Sequence, residues 1–188
     1  MGWVIFMRIE VDIPENTYGA YSISKLTPQE GFPVWKAYAQ QRGLEGTYTV
    51  LSYLTNKNYS VLIMNDGPSE FEEHIWLFNR LKGHILIGGL GISMIHKPLL
   101  ESDEVESVTI IEKSQEVINL VWPHCLKDDR FSIVHADIND FIPSEDDYWD
   151  VVWSDTWMNT DGESLPEYKE RMTDKFSGHY GQINGWKW

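Results

Sequence analysis

Three glycines in four positions, Gly88-Gly89-Leu90-Gly91, end the apolar run Ile85-Leu86-Ile87. A buried strand stopping at a glycine-rich turn with a helix behind it is a geometry that cradles a nucleoside. Glycine lets the backbone bend through positive φ and lets a ligand lie against the main chain, while the first N–H groups of the next helix stay unpaired and face it. Tight packing alone would also explain such a turn. Three carboxylates stand at the ends of the strands that follow: Glu112, 21 positions after Gly91, then Asp137, then Asp155. An acid at about the spacing of Glu112 suits ribose hydroxyls. Any one of the three read alone is an ordinary cap or surface residue, but their recurrence at successive strand ends beside the glycines points to a ligand site.

The elements that must hold these residues follow from hydrophobic periodicity. Strands are expected at His84–Ile87, Val108–Glu112, Phe131–His135 and Asp150–Asp155, with helices at Ile92–Leu100, shortened by Pro98, and at Ser114–Leu126, N-capped by Ser114. This alternation implies an α/β fold with a minimal Rossmann-like parallel sheet of four strands in the order 3-2-1-4. Upstream lies a small β-rich N-terminal region: an alternating strand over Met7–Ile13, a short strand within Tyr18–Leu26, and a hairpin of Thr47–Thr55 and Tyr59–Met64 about Asn56-Lys57-Asn58. A short helix is expected over Phe32–Arg42. Another follows Asp66-Gly67-Pro68, with Ser69 and Glu72 as a capping box. A last helix starts at Ser164, whose partner is Glu167, and stops at Gly178. The resulting division is 1–66, 67–178 for the cofactor-type core, and a tail 179–188 without periodicity, docked by its two Trp residues. The outer edge of the fourth strand requires a cover from the tail, the N-terminal strands or a second copy in a homo-oligomer.

Composition narrows the chemistry. The 188 residues carry 15 Lys and Arg against 29 Asp and Glu, a formal charge of -14, which disfavours nucleic acid and suits cationic ligands. One cysteine, Cys125, excludes a disulfide framework, and the six His show no zinc spacing, so no metal is assigned. The apolar run Trp3–Met7 is too short to span a membrane and lacks a basic flank, so a cytoplasmic protein is expected. A dinucleotide fits poorly because Met94 stands where a third glycine would be needed, and no ATP-type phosphate loop is present. A single nucleoside with little or no phosphate remains.

The runs Ile85–Gly91, Val108–Glu112, His135-Ala136-Asp137 and Trp149–Asp155 resemble motifs I to IV of class I S-adenosylmethionine-dependent methyltransferases. They are most similar to the spermidine synthase-like branch, including short bacteriophage proteins of that type, over roughly residues 59 to 157. The resemblance implies that Gly88, Gly89 and Gly91 approach the amino-acid part of the cofactor, Glu112 holds its ribose, and Asp137 with Ile138 borders adenine. It also implies that Asp155 is the catalytic carboxylate. The cofactor is then S-adenosylmethionine or its decarboxylated form, and the reaction is transfer of a methyl or aminopropyl group to a small cationic acceptor. Asp66, Glu70, His74 and Trp157 are candidates for the substrate pocket, although solvent exposure is the default for Glu70 and His74 on a surface helix. Aminopropyltransferases carry a second acid shortly after the aspartate, where this chain reads Thr156-Trp157-Met158-Asn159, and the later strands of a seven-stranded sheet are missing. Two other readings therefore stand: cleavage of the cofactor itself, or a cofactor-type fold serving as a non-catalytic interaction module.

Overall fold

A computed structural model gives the structure of the protein and describes residues 8–27, 46–55, 59–156 and 162–188. The run Trp3–Met7, the expected helix at Phe32–Arg42, the turn Asn56-Lys57-Asn58 and Trp157 lie outside the described residues.

Two sheets form the frame. Strands β1 (Asn16–Tyr18), β2 (Tyr21–Leu26), β3 (Tyr48–Leu54) and β4 (Ser60–Asn65) make an antiparallel sheet in the order β1-β2-β3-β4. β1 and β2 join through Gly19 at φ 59°. Residues 8–15, expected as the start of this region's strands, belong to neither sheet. Their alternation survives, with Val11 and Ile13 buried and Glu10 and Asp12 exposed. Side chains replace the ladder: the Val11 N–H donates to Asp66 Oδ2 (3.0 Å), and the Thr49 hydroxyl donates to the Val11 carbonyl (2.6 Å).

The second sheet is parallel and Rossmann-like. It contains β5 (Gly83–Gly88), β6 (Val105–Glu112), β7 (Phe131–His135), β8 (Trp149–Ser154) and β9 (Tyr180–Gly185), in the order β7-β6-β5-β8-β9. The sheet therefore has five strands where the sequence suggested four. The tail supplies the fifth, and β9 lies along the outer edge of β8 that was expected to need a cover. Tyr180 and Ile183 are the two strong strand formers in β9, set apart by Gly181 and Gln182, and the glycines hid the pattern. A Cβ at Gly181 would stand 3.0 Å from the Asp150 carbonyl oxygen, and one at Gly185 would stand 2.2 Å from that of Ser154. Both positions need glycine for β9 to approach β8, and that need erased the strand signature.

Alternation distributes the core over both faces of this sheet. Ile85, Ile87, Val108, Ile110, Val151 and Trp153 face a cluster with Leu77, Leu99, Val117, Leu120 and Val121 and with Ile13, Leu51 and Met64 of the N-terminal region. Leu86, Ile111 and Val152 face Tyr168, Met172 and Phe176. The first face is covered by α1 (Pro68–Glu73), α2 (Ile75–Phe78), α3 (His96–Glu101) and α4 (Gln115–Val121); the second by α5 (Leu165–Lys175). Caps explain two helix starts. Ser114 accepts from the Val117 N–H, and Ser164 with Glu167 forms a complete capping box, each contributing about 1 kcal/mol. The expected Ser69–Glu72 box does not form. Pro68 occupies the first helical turn behind Gly67, so the helix has already begun at Ser69.

His96 is a core histidine. Its ring is 1% exposed, packs against Phe131 (5.1 Å) and Trp122 (5.9 Å), and donates from Nδ1 to the Leu126 carbonyl (3.1 Å). Burial pushes its pKa from 6.5 down to about 4, with the Leu126 hydrogen bond opposing and Lys127 assisting. The unfolded chain takes up a proton on this ring below pH 6.5, whereas the folded chain resists until about 4, so stability falls as pH drops across that window. Urea unfolding at pH 7 and pH 4 should show wild type losing about 3 kcal/mol more than His96→Gln over that interval. Equal losses in the two proteins would contradict this assignment.

Candidate functional site

The glycine turn is stitched to the strand on each side. The Gly89 N–H donates to the Ile111 carbonyl (2.8 Å), the Asp155 N–H donates to the Gly88 carbonyl (3.0 Å), and the Leu90 N–H donates to Glu112 Oε2 (2.9 Å). Gly89 and Gly91 have φ of 94° and 52°, conformations that side chains strain to adopt. A Cβ at Gly88 would stand 2.5 Å from Ile138 Cδ1, one at Gly89 2.9 Å from the Asp155 carbonyl oxygen, and one at Gly91 2.5 Å from Met64 Sδ. Close packing of the chain therefore uses all three glycines. The helix expected from Ile92 starts only at His96, because Pro98 lacks an N–H and is tolerated only in a first turn. No helix N-terminus stands directly behind Gly91, and the intervening turn includes Ser93 at φ 60°.

Glu112 ends β6 with 8% exposure. Its Oε2 accepts from Leu90, and its Oε1 accepts from the Ser114 N–H (2.8 Å). Each carboxylate oxygen has a second acceptor direction, so the pair of backbone bonds fixes the group and leaves it capacity for hydroxyls. Tyr21 lies near this acid and was missed in the sequence, where it read only as part of a strand. Burial raises its hydroxyl pKa, a hydrogen bond with Ser114 opposes that, and the neighbouring Glu112 charge adds to it. Tyr21 also packs on Tyr53 (5.1 Å), and the β1–β2 turn sits so close to α4 that a Cβ at Gly19 would collide with Glu116. The N-terminal sheet thus reaches the Glu112 end of the strand row. Asp137, half-buried after β7, accepts from the Asn139 N–H (2.8 Å), while Ile138 turns into the core against Gly88.

Asp155 follows β8 and is the centre of a second group. Its Oδ2 lies 3.2 Å from His74 Nε2, and its side chain is 28% exposed. His74 is 1% exposed, so the default of solvent exposure for this residue does not hold. It lies at the break between α1 and α2 with φ −97° and ψ 0°, and the ring packs against Trp153 (5.3 Å) and Phe78 (6.0 Å). Its Nδ1 donates to the Glu70 carbonyl (2.6 Å). Burial acts to lower the His74 pKa, but the hydrogen bond and charge of Asp155 outweigh it and raise the value, favouring an imidazolium–carboxylate pair. Glu70 is half-buried nearby; burial, then the charges of Glu73 and Asp155, push its pKa up to about 7 against the opposing effect of His74. Asp66 stands apart from this group. It is fully buried, and its carboxylate accepts from the Thr49 N–H, the Val11 N–H and the Arg8 guanidinium, which ties the N-terminal segment to β3.

The strand order sets Asp137, Glu112, the glycine turn and Asp155 at four neighbouring strand ends, β7, β6, β5 and β8. Three strand spacings amount to about 15 Å, the reach of an adenosine extended by an amino-acid chain. The side chains present are compatible with such a ligand: the Glu112 carboxylate near the middle keeps acceptor directions beyond its two backbone bonds, and Asp155 sets a partly exposed anionic group at one end. Among the described residues no group of three or more His, Cys, Asp or Glu is placed to hold a metal ion, and no helix is long and apolar enough to cross a membrane.

No protein-family profile matches the chain, and no curated protein matches it. Solved structures similar to it include yhhF of Escherichia coli, at 14% identity and TM-score 0.47 over 62% of this chain and 67% of that one. N-methyltransferase NodS of Bradyrhizobium japonicum WM9 shows 18% identity and TM-score 0.42 over 58% of this chain and 64% of that one. The plantazolicin methyltransferase BpumL, solved with SAH, shows 14% identity and TM-score 0.44 over 60% of this chain and 43% of that one.

Proposed function

We propose that the chain binds S-adenosylmethionine across the ends of β7, β6 and β5 and transfers a carbon group from it to a small cationic amine held beside Asp155. The observation that carries this reading is the His74–Asp155 pair, set one strand away from the glycine turn and two from Glu112. A buried imidazolium fixing a partly exposed carboxylate is more than packing requires, because the pair must be desolvated to form. Glu112 would accept from the ribose hydroxyls, and Asp137 with Ile138 would border the base.

Bound cofactor supplies an electrophilic carbon whose bond to positively charged sulfur breaks as the new bond to nitrogen forms. The chain's own residues then do three things. Asp155 orients the acceptor ammonium by charge and takes the proton released as nitrogen becomes nucleophilic. His74 holds the carboxylate in one rotamer through its Nε2. Glu70, titrating near pH 7, adds a negative charge that favours a cationic acceptor and receives a proton readily at neutral pH. Alignment of the two reactants does most of the rest. Methyl transfer uses S-adenosylmethionine and aminopropyl transfer uses its decarboxylated form, with the same residue roles. Incubation with each cofactor form, with and without putrescine, followed by mass analysis, tests the proposal. An alkylated amine formed only when amine is present supports it; cofactor consumed equally without amine, or no consumption, overturns it.

A further inference from the structure

We propose that Trp186-Lys187-Trp188, beyond β9, is a positioning segment for this site that braces the Asp155 carboxylate from both faces of the sheet. The inference rests on the proposed role of Asp155. The segment is anchored at the strand end itself: the Trp186 N–H donates to the Ser154 carbonyl (3.2 Å), one residue before Asp155. Lys187 then turns the chain through the left-handed region at φ 59°, an uncommon conformation for lysine that its surroundings must hold. The turn sends the two indoles to different sides.

On the first face, Trp186 Nε1 donates to Glu73 Oε2. Glu73 is the last residue of α1, and His74, which pairs with Asp155, follows it directly. The Lys187 ammonium lies over the Trp186 ring at 3.9 Å. On the second face, Trp188 packs edge-on to Tyr168 at 6.1 Å. The Tyr168 hydroxyl bonds to Ser154 Oγ (2.5 Å) and Thr156 Oγ1 (2.6 Å), the residues immediately before and after Asp155. Asp155 is therefore held through its partner on one side and through its own neighbours on the other, and both holds lead to the same three residues. Gly185 permits this: a Cβ there would collide with the Ser154 carbonyl and lie 2.6 Å from Trp188 Nε1.

Trp186→Phe in the full chain keeps an aromatic ring and deletes the hydrogen bond to Glu73. The brace predicts a fall in kcat of about tenfold, with KM for the cofactor within about twofold of wild type. It also predicts that the His74 titration midpoint, read by NMR, drops by about half a pH unit as the contact with Asp155 loosens. The charged groups bearing on that ring are Asp155 and Glu70, with Glu73 adjoining Glu70. Glu73→Ala should reproduce both effects without adding to them in the double variant, and Glu73→Gln, which retains an acceptor oxygen, should restore them. A wild-type His74 midpoint in both Trp186→Phe and Glu73→Ala overturns the brace. If wild type shows no turnover, the proposed function fails, and the NMR titration still decides the brace.

Discussion

Asp155→Asn should lower kcat by about a thousandfold while the dissociation constant for S-adenosylmethionine stays within about threefold of wild type. The two side chains are nearly isosteric, and the amide NH2 can donate to Nε2 of a neutral His74 whose proton stays on Nδ1 toward the Glu70 carbonyl, so the strand end retains its shape. Two properties are lost. An amide does not take a proton at neutral pH, and without the carboxylate charge the His74 pKa falls, so the buried ring becomes neutral and the ion pair disappears. The effect therefore belongs in the chemical step, because only the transition state requires proton transfer and charge compensation at that oxygen. Steady-state kinetics together with calorimetry separate the two quantities. A kcat within tenfold of wild type would remove Asp155 from the chemistry.

Glu112→Gln should act on binding. In the wild-type chain the two carboxylate oxygens accept from Leu90 and Ser114, both backbone donors. A glutamine supplies one oxygen and one NH2 group, so one backbone N–H is left facing another donor in a site that is 8% exposed. That mismatch costs about 1–3 kcal/mol of stability. It also disturbs the glycine turn, because the Leu90 N–H is one of the three bonds joining that turn to its neighbours. With the acceptor proposed for the ribose hydroxyls altered as well, affinity for S-adenosylmethionine should fall by about ten- to a hundredfold. Denaturant unfolding and calorimetry on the same preparation check both effects. Unchanged affinity in a folded Glu112→Gln protein would place the ribose elsewhere.

The parts of this architecture that could be read from the chain are those where one local pattern decides the structure. β5, β6 and β8 bury apolar residues on both faces because helices or the N-terminal sheet cover both sides, and their runs ended within one residue of the strand ends. Ser114 and the Ser164–Glu167 box marked helix starts because each cap satisfies N–H groups of its own first turn. Features set by distant partners were hidden. β9 is a strand because β8 offers it a ladder, and its glycines, required by the approach to Asp150 and Ser154, read as breakers. Residues 8–15 show strand alternation yet bond to the side chains of Asp66 and Thr49, 55 and 38 positions from Val11. The same holds for the site. The strand-end acids and glycines were visible, whereas the burial of His74 depends on a helix break, on Trp153 and on Asp155, none of which the helix's own sequence announces. Tyr168, which bonds both neighbours of Asp155, read only as part of an apolar helix face.

The proposed function depends on one property above the rest, that the row of strand ends from Asp137 to Asp155 holds a sulfonium nucleoside. Titration calorimetry of the intact protein with S-adenosylmethionine, its decarboxylated form and S-adenosylhomocysteine measures this directly. The proposed function predicts one site per chain with a dissociation constant in the micromolar range, about −7 to −8 kcal/mol, for at least one sulfonium form. It also predicts weaker binding in Glu112→Gln. No binding of any of the three below millimolar concentration would contradict it and would leave the glycine turn and its acids as the means by which β5, β6 and β8 are joined.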